Sequence, residues 1–418
     1  YSSAASDVYK RQDVKGMLSS LHGSAGAITA LQNSVAHYYQ RASSADYLGV
    51  DPTRRSLTGT GGYVKVGRKG NAKWNFSETF TWSSPGFDLN DMGYMKETDY
   101  LMNETEIMYR QTDIWKIFRY NAFTLSQKNM WNYGGTPFSN NASLRWQSMT
   151  MNRYEWDVKE TFAWNWLDSR LLRGGPDVRF GSYFLTSAKF NTDKAKRMMF
   201  MLKYEGDHNF EGNRFNTISP SLTFRLGNHV YLSGQLDYAW NTDEMQYVAT
   251  TSPLSSSSLA PYYYVMGHMD QKTYGLTLKL QVNVTPDISI QFYGAPFTSI
   301  AKYDDFKLAA DTKSHTFENR FQRIDPDQLT YADGVYTIGE GAGQMPFRNP
   351  DFRFNEFRSN LVARWEYLPG STLYFVWEHR MSNRDNWYSS GWGSNLDRMW
   401  GLPATNTFMI KMNYWFNL

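Results

Sequence analysis

Histidines close to carboxylates are the residues of this sequence that could do acid–base chemistry. His268 lies two positions before Asp270, and His379 is followed by Arg380 and Asp385. Beside a serine hydroxyl, such groups could activate a nucleophile for hydrolysis. The chain has no cysteine, no His-Glu-x-x-His, no phosphate-binding glycine loop and no Gly-x-Ser-x-Gly. We therefore predict no catalytic residues, and a hydrolase is the weakest of the functions considered.

Short acidic runs are the second kind of candidate. Asp304-Asp305 and Asp325-Pro326-Asp327 supply oxygen ligands of the kind that Ca²⁺ takes. A solvated loop is the better explanation for both, so we expect no metal and no cofactor. The formal net charge of +3, with a pI near 8.7, is too mild to favour a nucleic-acid partner.

The elements that would position these residues are strands rather than helices. Aromatic residues make up 17% of the 418 residues, yet the mean hydropathy is only −0.58. No segment approaches the roughly 18–20 apolar residues of a membrane-spanning helix. A strand that alternates between lipid and water averages out as half polar, so a transmembrane β-barrel escapes this test.

The C-terminal segment carries the clearest alternation. The residues Phe408, Ile410, Met412, Tyr414, Phe416 and Leu418 share one face, whereas Lys411 and Asn413 lie on the other. A period of two with one apolar face indicates a half-buried strand. Its length of about ten residues suits a tilted strand that crosses a bilayer. It resembles the closing strand of outer-membrane barrels, which the barrel-assembly machinery reads, although the usual terminal aromatic residue is replaced by Leu418.

The same alternation recurs upstream in hairpins whose turns are short. Gly227-Asn228, Thr285-Pro286-Asp287 and Pro369-Gly370 supply residues that tight turns require. Other connections are long and polar, over 242–261, 301–350 and 381–403. Alternating short and long connections are typical of outer-membrane barrels, with short periplasmic turns and long external loops. The aromatic residues within 301–350 predict an ordered functional loop at the external mouth.

These patterns predict an all-β fold: an antiparallel, up-and-down transmembrane barrel of the outer membrane. We count about 16 or 17 strands from Ala25 onward, and since barrels need an even number the estimate is about 16–18. A soluble β-protein is the alternative. A β-propeller would show a period of about 40–50 residues per blade, and none is found.

In a barrel, function depends on the residues that face the lumen. Alternation assigns both signs of charge to that side, which suits a hydrated interior that handles polar solutes. Salt bridges that merely fill the interior would explain the same residues, and the sequence does not decide between the two. The predicted lumen-lining residues are Lys279, Gln281, Asn283, Gln291, Arg358, Asn360, Arg364, Glu366, Glu378, Lys411 and Asn413.

Three segments carry a family resemblance. They are Ser84–Tyr94 (SPGFDLNDMGY), the stretch from Tyr38 to Arg54 with YYQRA, and Phe354–Tyr374 with FNEFRSNLV and YLPGSTLY. They resemble a family of bacterial outer-membrane proteins in which a carbohydrate-binding-module-like domain (family nine type) precedes a C-terminal barrel of unassigned function. The sugar-binding-like domain is absent from this sequence, so none of its functional residues is carried over. Ser84–Tyr94 itself is expected to be a turn-rich external loop over the barrel mouth.

The N-terminal end differs in character from the rest. Residues 1–12 (YSSAASDVYKRQ) lack a secretory-signal pattern and are expected to be a non-native or linker segment, with the barrel domain over 13–418. We therefore expect the barrel to be N-terminally truncated.

The leading prediction of function is a porin-like barrel in the cell outer membrane of a Gram-negative bacterium, which passes or binds a polar and glycan-derived solute. The alternatives are a structural barrel that anchors the missing carbohydrate-binding domain, and a hydrolase at the rim. Expected partners are outer-membrane lipid and lipopolysaccharide, the barrel-assembly machinery through the C-terminal strand, and a carbohydrate ligand.

Overall fold

Segments in which polar and apolar side chains alternate form the strands of this protein. The computed structural model describes residues 10–416, apart from 42–45, 69, 71, 91–92, 165, 228, 255–261 and 386–391. The first eleven strands are β1 (Lys10–His22), β2 (Ser56–Arg68), β3 (Trp74–Ser83), β4 (Tyr100–Gln111), β5 (Phe118–Trp131), β6 (Pro137–Thr150), β7 (Glu155–Trp164), β8 (Trp166–Asp168), β9 (Val178–Phe180), β10 (Tyr183–Asn191) and β11 (Met198–Asn209).

The second half of the chain contains the longest strands. They are β12 (Arg214–Leu226), β13 (Val230–Thr251), β14 (Tyr263–Asn283), β15 (Ile288–Ala309), β16 (Phe321–Arg323), β17 (Leu329–Ala332), β18 (Val335–Ile338), β19 (Met345–Arg348), β20 (Phe352–Leu368), β21 (Ser371–Asp385) and β22 (Thr405–Asn413). Two α-helices are described, α1 (Ala25–Gln32) and α2 (Trp392–Trp400). No helix within the described ranges is both long and apolar enough to cross a membrane.

One antiparallel sheet of 17 strands dominates the fold. All of its strands except β16 form a meander, in the order β1-β2-β3-β4-β5-β6-β7-β10-β11-β12-β13-β14-β15-β20-β21-β22. The short β16 adds to the far end of β15. Two small sheets, β17-β18-β19 and β8-β9, are inserted between meander strands. The predicted all-β, up-and-down antiparallel architecture with about 16–18 strands is confirmed.

The two ends of the sheet differ in their connections. At one end, here the inner end, turns are short: β14 joins β15 through 284–287, and β20 joins β21 through 369–370. At the other, the outer end, connections include 23–55, 165–182 and 310–351. The long connections therefore lie at one end, as predicted, but the alternation is not strict, because 132–136 and 210–213 are short connections at that same outer end.

Several predicted boundaries are corrected. β13 continues to Thr251, β15 to Ala309 and β21 to Asp385, so each predicted long connection begins inside a strand. Bulges explain the first two cases, because they shift the pairing register between Asp243 and Gln246 and between Met266 and His268, which breaks the period of two while pairing continues.

The ends of the chain also differ from the expectations. β22 ends at Asn413, and residues 417–418 lie outside the described residues. β1 begins at Lys10 and pairs with β2 from Arg68 onward, so the expected boundary after residue 12 falls within a strand. In the described part of the chain no pairing joins β1 to β22, so the sheet is open between them.

The buried hydrophobic clusters lie at the outer end. One joins Val265, Met269 and Tyr303 of β14 and β15 to Ile338 and Phe347 of the 310–351 connection. A second joins Met245 and Met266 to Leu172, Val178 and Phe321. The third holds α1 against β2 through Ile28, Tyr39 and Leu57. The outer connections are therefore packed structures, as predicted for the loop within 301–350.

Candidate functional site

The pairing register divides the sheet into two faces of opposite chemistry. Lys279, Tyr293, Asn360 and Glu378 are cross-strand partners in one row, so they share a face. The neighbouring row on the opposite face contains Leu280, Phe292, Leu361 and Trp377. We call these the polar face and the apolar face. Large hydrophobic side chains stay exposed on the apolar face, for example Leu278 (39%), Ile410 (72%) and Met412 (62%).

All eleven residues predicted to line the lumen lie on the polar face. Three rows hold most of them, and Arg364 and Glu366 form an ion pair at 2.5 Å, as do Arg358 and Glu356 at 2.8 Å. Their role in a pore stays a prediction. The residues are Lys279, Gln281, Asn283, Gln291, Arg358, Asn360, Arg364, Glu366, Glu378, Lys411 and Asn413.

The segment after β3 folds back onto the polar face of β2. Phe87 is buried and lies where side chains at Gly59 and Gly61 would be: a Cβ on Gly59 would come within 2.1 Å of the Phe87 backbone nitrogen. The Ser84 hydroxyl accepts a hydrogen bond from the Thr60 N–H at 2.7 Å. Because Gly59 and Gly61 have no side chains, the loop can pack directly on β2. This agrees with the predicted loop at Ser84–Tyr94, of which residues 91–92 lie outside the described residues.

A histidine, a carboxylate and a hydroxyl meet beneath this loop. His37 Nε2 lies 3.2 Å from Asp88 Oδ2, and Nδ1 lies 3.3 Å from Thr98 Oγ1. Nδ1 is also 2.9 Å from the Pro85 carbonyl oxygen, which can only accept, so Nδ1 carries the proton and cannot serve as a base for Thr98. The His37 side chain has no exposed surface. The group therefore fastens two connections together and has no access to a substrate.

A buried ion pair joins the same connections to two more. Asp99 Oδ2 accepts from Arg41 Nη2 at 2.7 Å and from the Tyr47 hydroxyl at 2.6 Å, while Oδ1 accepts from the Tyr133 N–H at 3.1 Å. Arg41 Nη1 also donates to Ser169 Oγ. Burial and the hydrogen bond to Asp99 raise the pKa of Tyr47. The outer connections thus form one hydrogen-bonded frame.

A cavity of about 550 Å³ lies between the 165–182 connection and the outer end of the polar face. This volume is in the range of small-molecule sites. Aromatic rings and hydrogen-bonding groups line it together: Trp166, Phe180, Tyr183 and Phe215 with Lys128, Asn141, Asp207, Asn209, Asn241 and Asp243. Trp166 lies edge-on to Tyr183, with the ring centroids 5.2 Å apart. Such a lining can stack on the flat face of a ligand and hydrogen-bond to its edges.

The charges at this cavity are only partly paired. Arg170 forms an ion pair with Glu97 at 3.3 Å. Asp243 of β13 lies one position beyond the outermost β12–β13 pair, Arg214 and Thr242. Burial raises the pKa of its carboxyl group. The Asp207 carboxylate, by contrast, has no hydrogen bond or ion pair to any described residue, although it lines the cavity. A ligand with hydroxyl or amine donors would satisfy these carboxylates.

Two further cavities continue along the polar face. One of about 480 Å³ shares Lys128, Asn141 and Leu185 with the outer cavity. The next, of about 570 Å³, shares Glu104, Glu106 and Met108 with the middle one and reaches Gly70 and Tyr120 near the inner end. The three cavities therefore adjoin one another from the outer end to the inner end. All lie against the wall from β1 to β13, away from the predicted lumen-lining residues of β14 to β22.

Residues 23–418 match a family described as Domain of unknown function (DUF5916). The chain belongs to the DUF5916 family. No curated protein matches it. Among solved structures it is similar to the siderophore receptor PirA from Acinetobacter baumannii, with a TM-score of 0.38 and 9% identity over 97% of this chain and 68% of that chain. A likeness this distant determines neither the strand number nor the ligand of the DUF5916 chain.

The histidine groupings considered as weak candidates for hydrolysis are not assembled in this DUF5916 chain. His379 lies on the apolar face and Arg380 on the polar face, while Asp385 pairs with Arg353. His268 contacts carboxylates with both nitrogens, Glu244 at 3.0 Å and Asp270 at 3.6 Å, so it has no hydroxyl to activate. His268 and His379 therefore offer no nucleophile–base pair.

The predicted acidic runs likewise do not converge. Asp305 pairs with Lys307 at 3.1 Å and with Arg323 at 3.6 Å. Asp325 and Asp327 flank the start of a 3₁₀ helix, Pro326–Gln328. Within the part of the chain that the structure describes, no group of three or more His, Cys, Asp or Glu side chains is placed to hold a metal ion.

Sequence reasoning missed the cavities because their residues come from strands far apart in the chain. Asp207 and Trp166 are separated by a whole hairpin, and no spacing in the sequence brings them together. The Gly59-Thr-Gly-Gly62 run is a signal for a different feature, the loop at Phe87, since clustered glycines inside a strand mark a close approach of another backbone.

Proposed function

We propose that this protein is an outer-membrane barrel that binds a polar solute at its outer mouth and passes it along the polar face. The three adjoining cavities are the observation that carries the proposal, because they run from the outer connections to the inner turns. Their lining contains charges of both signs, as a hydrated path for polar solutes requires.

The membrane location rests on the chemistry of the two faces. A sheet that exposes leucine, isoleucine and phenylalanine along most of one face needs an apolar surrounding. The meander has an even number of long strands, since the 17-stranded sheet less β16 leaves 16. β1 and β22 consequently run in opposite directions, which is the relation that antiparallel closure requires. Their free backbone groups need partners in hydrocarbon, so closure would accompany insertion.

A glycan-derived solute fits the outer cavity best. The faces of sugar rings carry C–H groups that pack on aromatic side chains such as Trp166 and Phe180, and their hydroxyl groups bond carboxylates and amides such as Asp207 and Asn209. The chain's resemblance to barrels preceded by a carbohydrate-binding-module-like domain is consistent with this class of ligand.

Anchoring is the second candidate function. The hydrophobic clusters at the outer end hold the 310–351 connection, which we call the cap, in place, with Phe347 and Phe321 buried. A barrel closed by such a cap would serve as a rigid support for a carbohydrate-binding domain. Anchoring and transport differ in whether solute enters when the cap is intact.

Solute entry into proteoliposomes tests the proposal. Ser143 and Leu144 are neighbours in β6, but Ser143 lines the middle cavity and Leu144 lies on the apolar face with 57% exposure. Ser143→Trp should slow the entry of glucose, maltose and maltotriose, whereas Leu144→Trp should not. Equal rates for both variants and the parent protein would exclude a path through these cavities and favour anchoring.

Binding at the outer cavity is measured separately. Trp166→Ala should weaken the affinity for maltotriose and larger oligosaccharides in calorimetric titrations, because it removes the ring on which a sugar would stack. Tyr331→Ala, an exposed aromatic residue on the cap, is the matched control. Retained affinity in Trp166→Ala would place the ligand elsewhere.

A further inference from the structure

Two strands repeat one sequence pattern with a glutamate at its centre. β3 contains Trp74-Asn-Phe-Ser-Glu-Thr-Phe-Thr-Trp82, and β7 contains Trp156-Asp-Val-Lys-Glu-Thr-Phe-Ala-Trp164. The register places Glu78 in the same face as Phe76 and Phe80, and Glu160 in the same face as Trp156 and Phe162. Each glutamate is therefore the third of five side chains on the apolar face of its strand.

Each glutamate accepts a hydrogen bond from the threonine that lies directly opposite it in the adjacent strand. The Thr105 hydroxyl donates to Glu78 Oε2 at 2.6 Å, and the Thr186 hydroxyl donates to Glu160 Oε2 at 2.7 Å. Asn103 also donates to Glu78. No ion pair of either glutamate with a described Lys, Arg or His is formed. The carboxylates are thus stabilised by hydroxyl and amide donors and not by a positive charge.

The polar side chains continue from Glu78 across three further strands. Thr105 faces Gln127, and Asn103 faces Asn129, which faces Asn140 of β6. Gln127, Asn129 and Asn140 make no side-chain hydrogen bond to described residues. We call this set the outer polar stripe: Glu78, Asn103, Thr105, Gln127, Asn129 and Asn140.

The stripe lies inside the apolar band and not at its edge. Along β5 the apolar face reads Phe123, Leu125, Gln127, Asn129 and Trp131, so apolar residues flank the amides on both sides. The same face of β12 to β15 has no such interruption, with Leu222, Leu236, Leu278 and Phe292 at its centre. One sector of the wall is therefore built for a surrounding that is not lipid.

We infer that the β3–β6 sector docks a second copy of this chain within the membrane. The inference rests on the proposed membrane location. Unpaired amides and a carboxylate are costly in hydrocarbon, and polar side chains bond protein neighbours across membrane interfaces.

Hydrogen-bonding chemistry favours a second copy as the occupant. An amide group both donates and accepts, so a stripe of Asn and Gln complements an identical stripe across a two-fold axis. Glu78 has no spare donor of its own and would accept from an amide of the other copy, such as that of Gln127. The flanking tryptophans, Trp82 and Trp131, would meet their counterparts above the stripe.

Cysteine crosslinking tests the inference, because the chain has no cysteine of its own. Gln127→Cys and Asn129→Cys should give a dimer when isolated outer membranes are oxidised or treated with a short bis-maleimide. Leu278→Cys, equally placed on the apolar face of β14 and 39% exposed, should give only background. Migration of unheated and heated samples shows that each variant is folded.

A second variant changes the affinity rather than the crosslink. Replacing Gln127 and Asn129 together by leucine should stabilise the monomer in lipid and lower the association constant of the dimer in nanodiscs by about tenfold, which corresponds to about 1.4 kcal/mol. Native mass spectrometry counts the copies.

The outcomes separate this inference from the proposed function. If the parent chain does not fractionate with the outer membrane, the proposed function fails. If it does but the stripe cysteines crosslink no more than Leu278→Cys, only the dimer is excluded. A crosslinked product whose mass is not twice that of the chain would mean that the stripe contacts a different protein, and would contradict the proposal that a second copy docks there.

Discussion

Val265 and Met266 are neighbours in β14, and their side chains lie in two different hydrophobic clusters. Val265 packs in the cluster that contains Phe347, and Met266 packs in the one that contains Phe321. Successive side chains of a strand point to opposite faces. Because Phe347 and Phe321 both belong to the 310–351 connection, this connection covers both faces of the outer half of β14.

Release of this cap is the first prediction. Phe347 is 4% exposed, stacks on Tyr336 and lies edge-on to Phe306. Phe347→Ala should lower the stability of the docked cap by about 3–5 kcal/mol, as for other buried phenylalanines. We expect faster proteolysis within 310–351 and a higher conductance in planar bilayers.

Tyr331→Ala is the control for the cap, since Tyr331 lies in the same small sheet but is 55% exposed. Conductance that stays at the parent level, in a variant whose cap is demonstrably cut by protease, would rule out gating. The cap would then be a surface for binding.

The second prediction concerns the ion pair that frames the mouth. Arg41 and Asp99 are 10% and 0% exposed, so losing the charge of Asp99 leaves a buried guanidinium short of its partner. Asp99→Asn should reduce the free energy that holds the outer connections closed by about 3–5 kcal/mol. Hydrogen exchange of amides in 23–41 and 93–99 measures the change.

Asp113→Asn provides the comparison for an exposed pair. Lys73 and Asp113 are 3.1 Å apart, but both side chains are more than half exposed. The effect should be about 0–1 kcal/mol. Similar effects of the two substitutions would mean that the frame depends on packing rather than on the Arg41–Asp99 charge pair.

A pH dependence at the outer end of β14 is the third prediction. Burial acts to lower the pKa of His268, but the hydrogen bond to Glu244 and the charges of Asp270 and Asp304 outweigh it, and the net pKa is raised above 6.5. A raised histidine pKa stabilises the folded state below the unfolded value, and that contribution is lost as the pH rises through the folded value. The outer half of β14 should therefore loosen as the pH rises above 6.5.

Hydrogen exchange of 262–271, corrected for intrinsic rates, follows this loosening. In His268→Gln the profile should be flat over the same range. A parent protein whose corrected exchange does not change with pH, or a variant that keeps the full change, would show that His268 is not the group responsible.

The sequence alone could predict the faces of the strands but not the contacts between connections. The period of two in segments such as Leu276–Val284 assigned Lys279 and Gln281 to the polar face correctly, because alternation is a local property. His37 and Asp88 are 51 positions apart, so their contact depends on how two loops fold over β2. Bulges hid the outer halves of β13 and β15 for a related reason, since they reverse the alternation without ending the pairing.

The outer polar stripe shows the limit of the same reasoning. Glu78 lies between Phe76 and Phe80, where alternation predicts an apolar residue, and a single departure in one strand carries little weight. It becomes significant only when the register places Thr105 and Gln127 beside it. The repeat of the pattern at Glu160 was readable in the sequence, but its meaning required the partner strand with Thr186.

The last prediction distinguishes the two faces in β22. Met412 pairs with Leu373 on the apolar face, and Asn413 pairs with Thr372 on the polar face, as the alternation predicted. An arginine on the lipid side of a membrane strand costs about 2–4 kcal/mol at mid-membrane and less near the interface, whereas the polar face already accommodates Lys411. Met412→Arg should therefore impair assembly into outer membranes and lower resistance to heat-induced unfolding much more than Asn413→Arg. Since the two positions are adjacent, effects on strand pairing or on the C-terminal signal should be nearly the same in both variants. Equal folded yields, judged by the migration of unheated samples, would mean that Met412 does not face lipid.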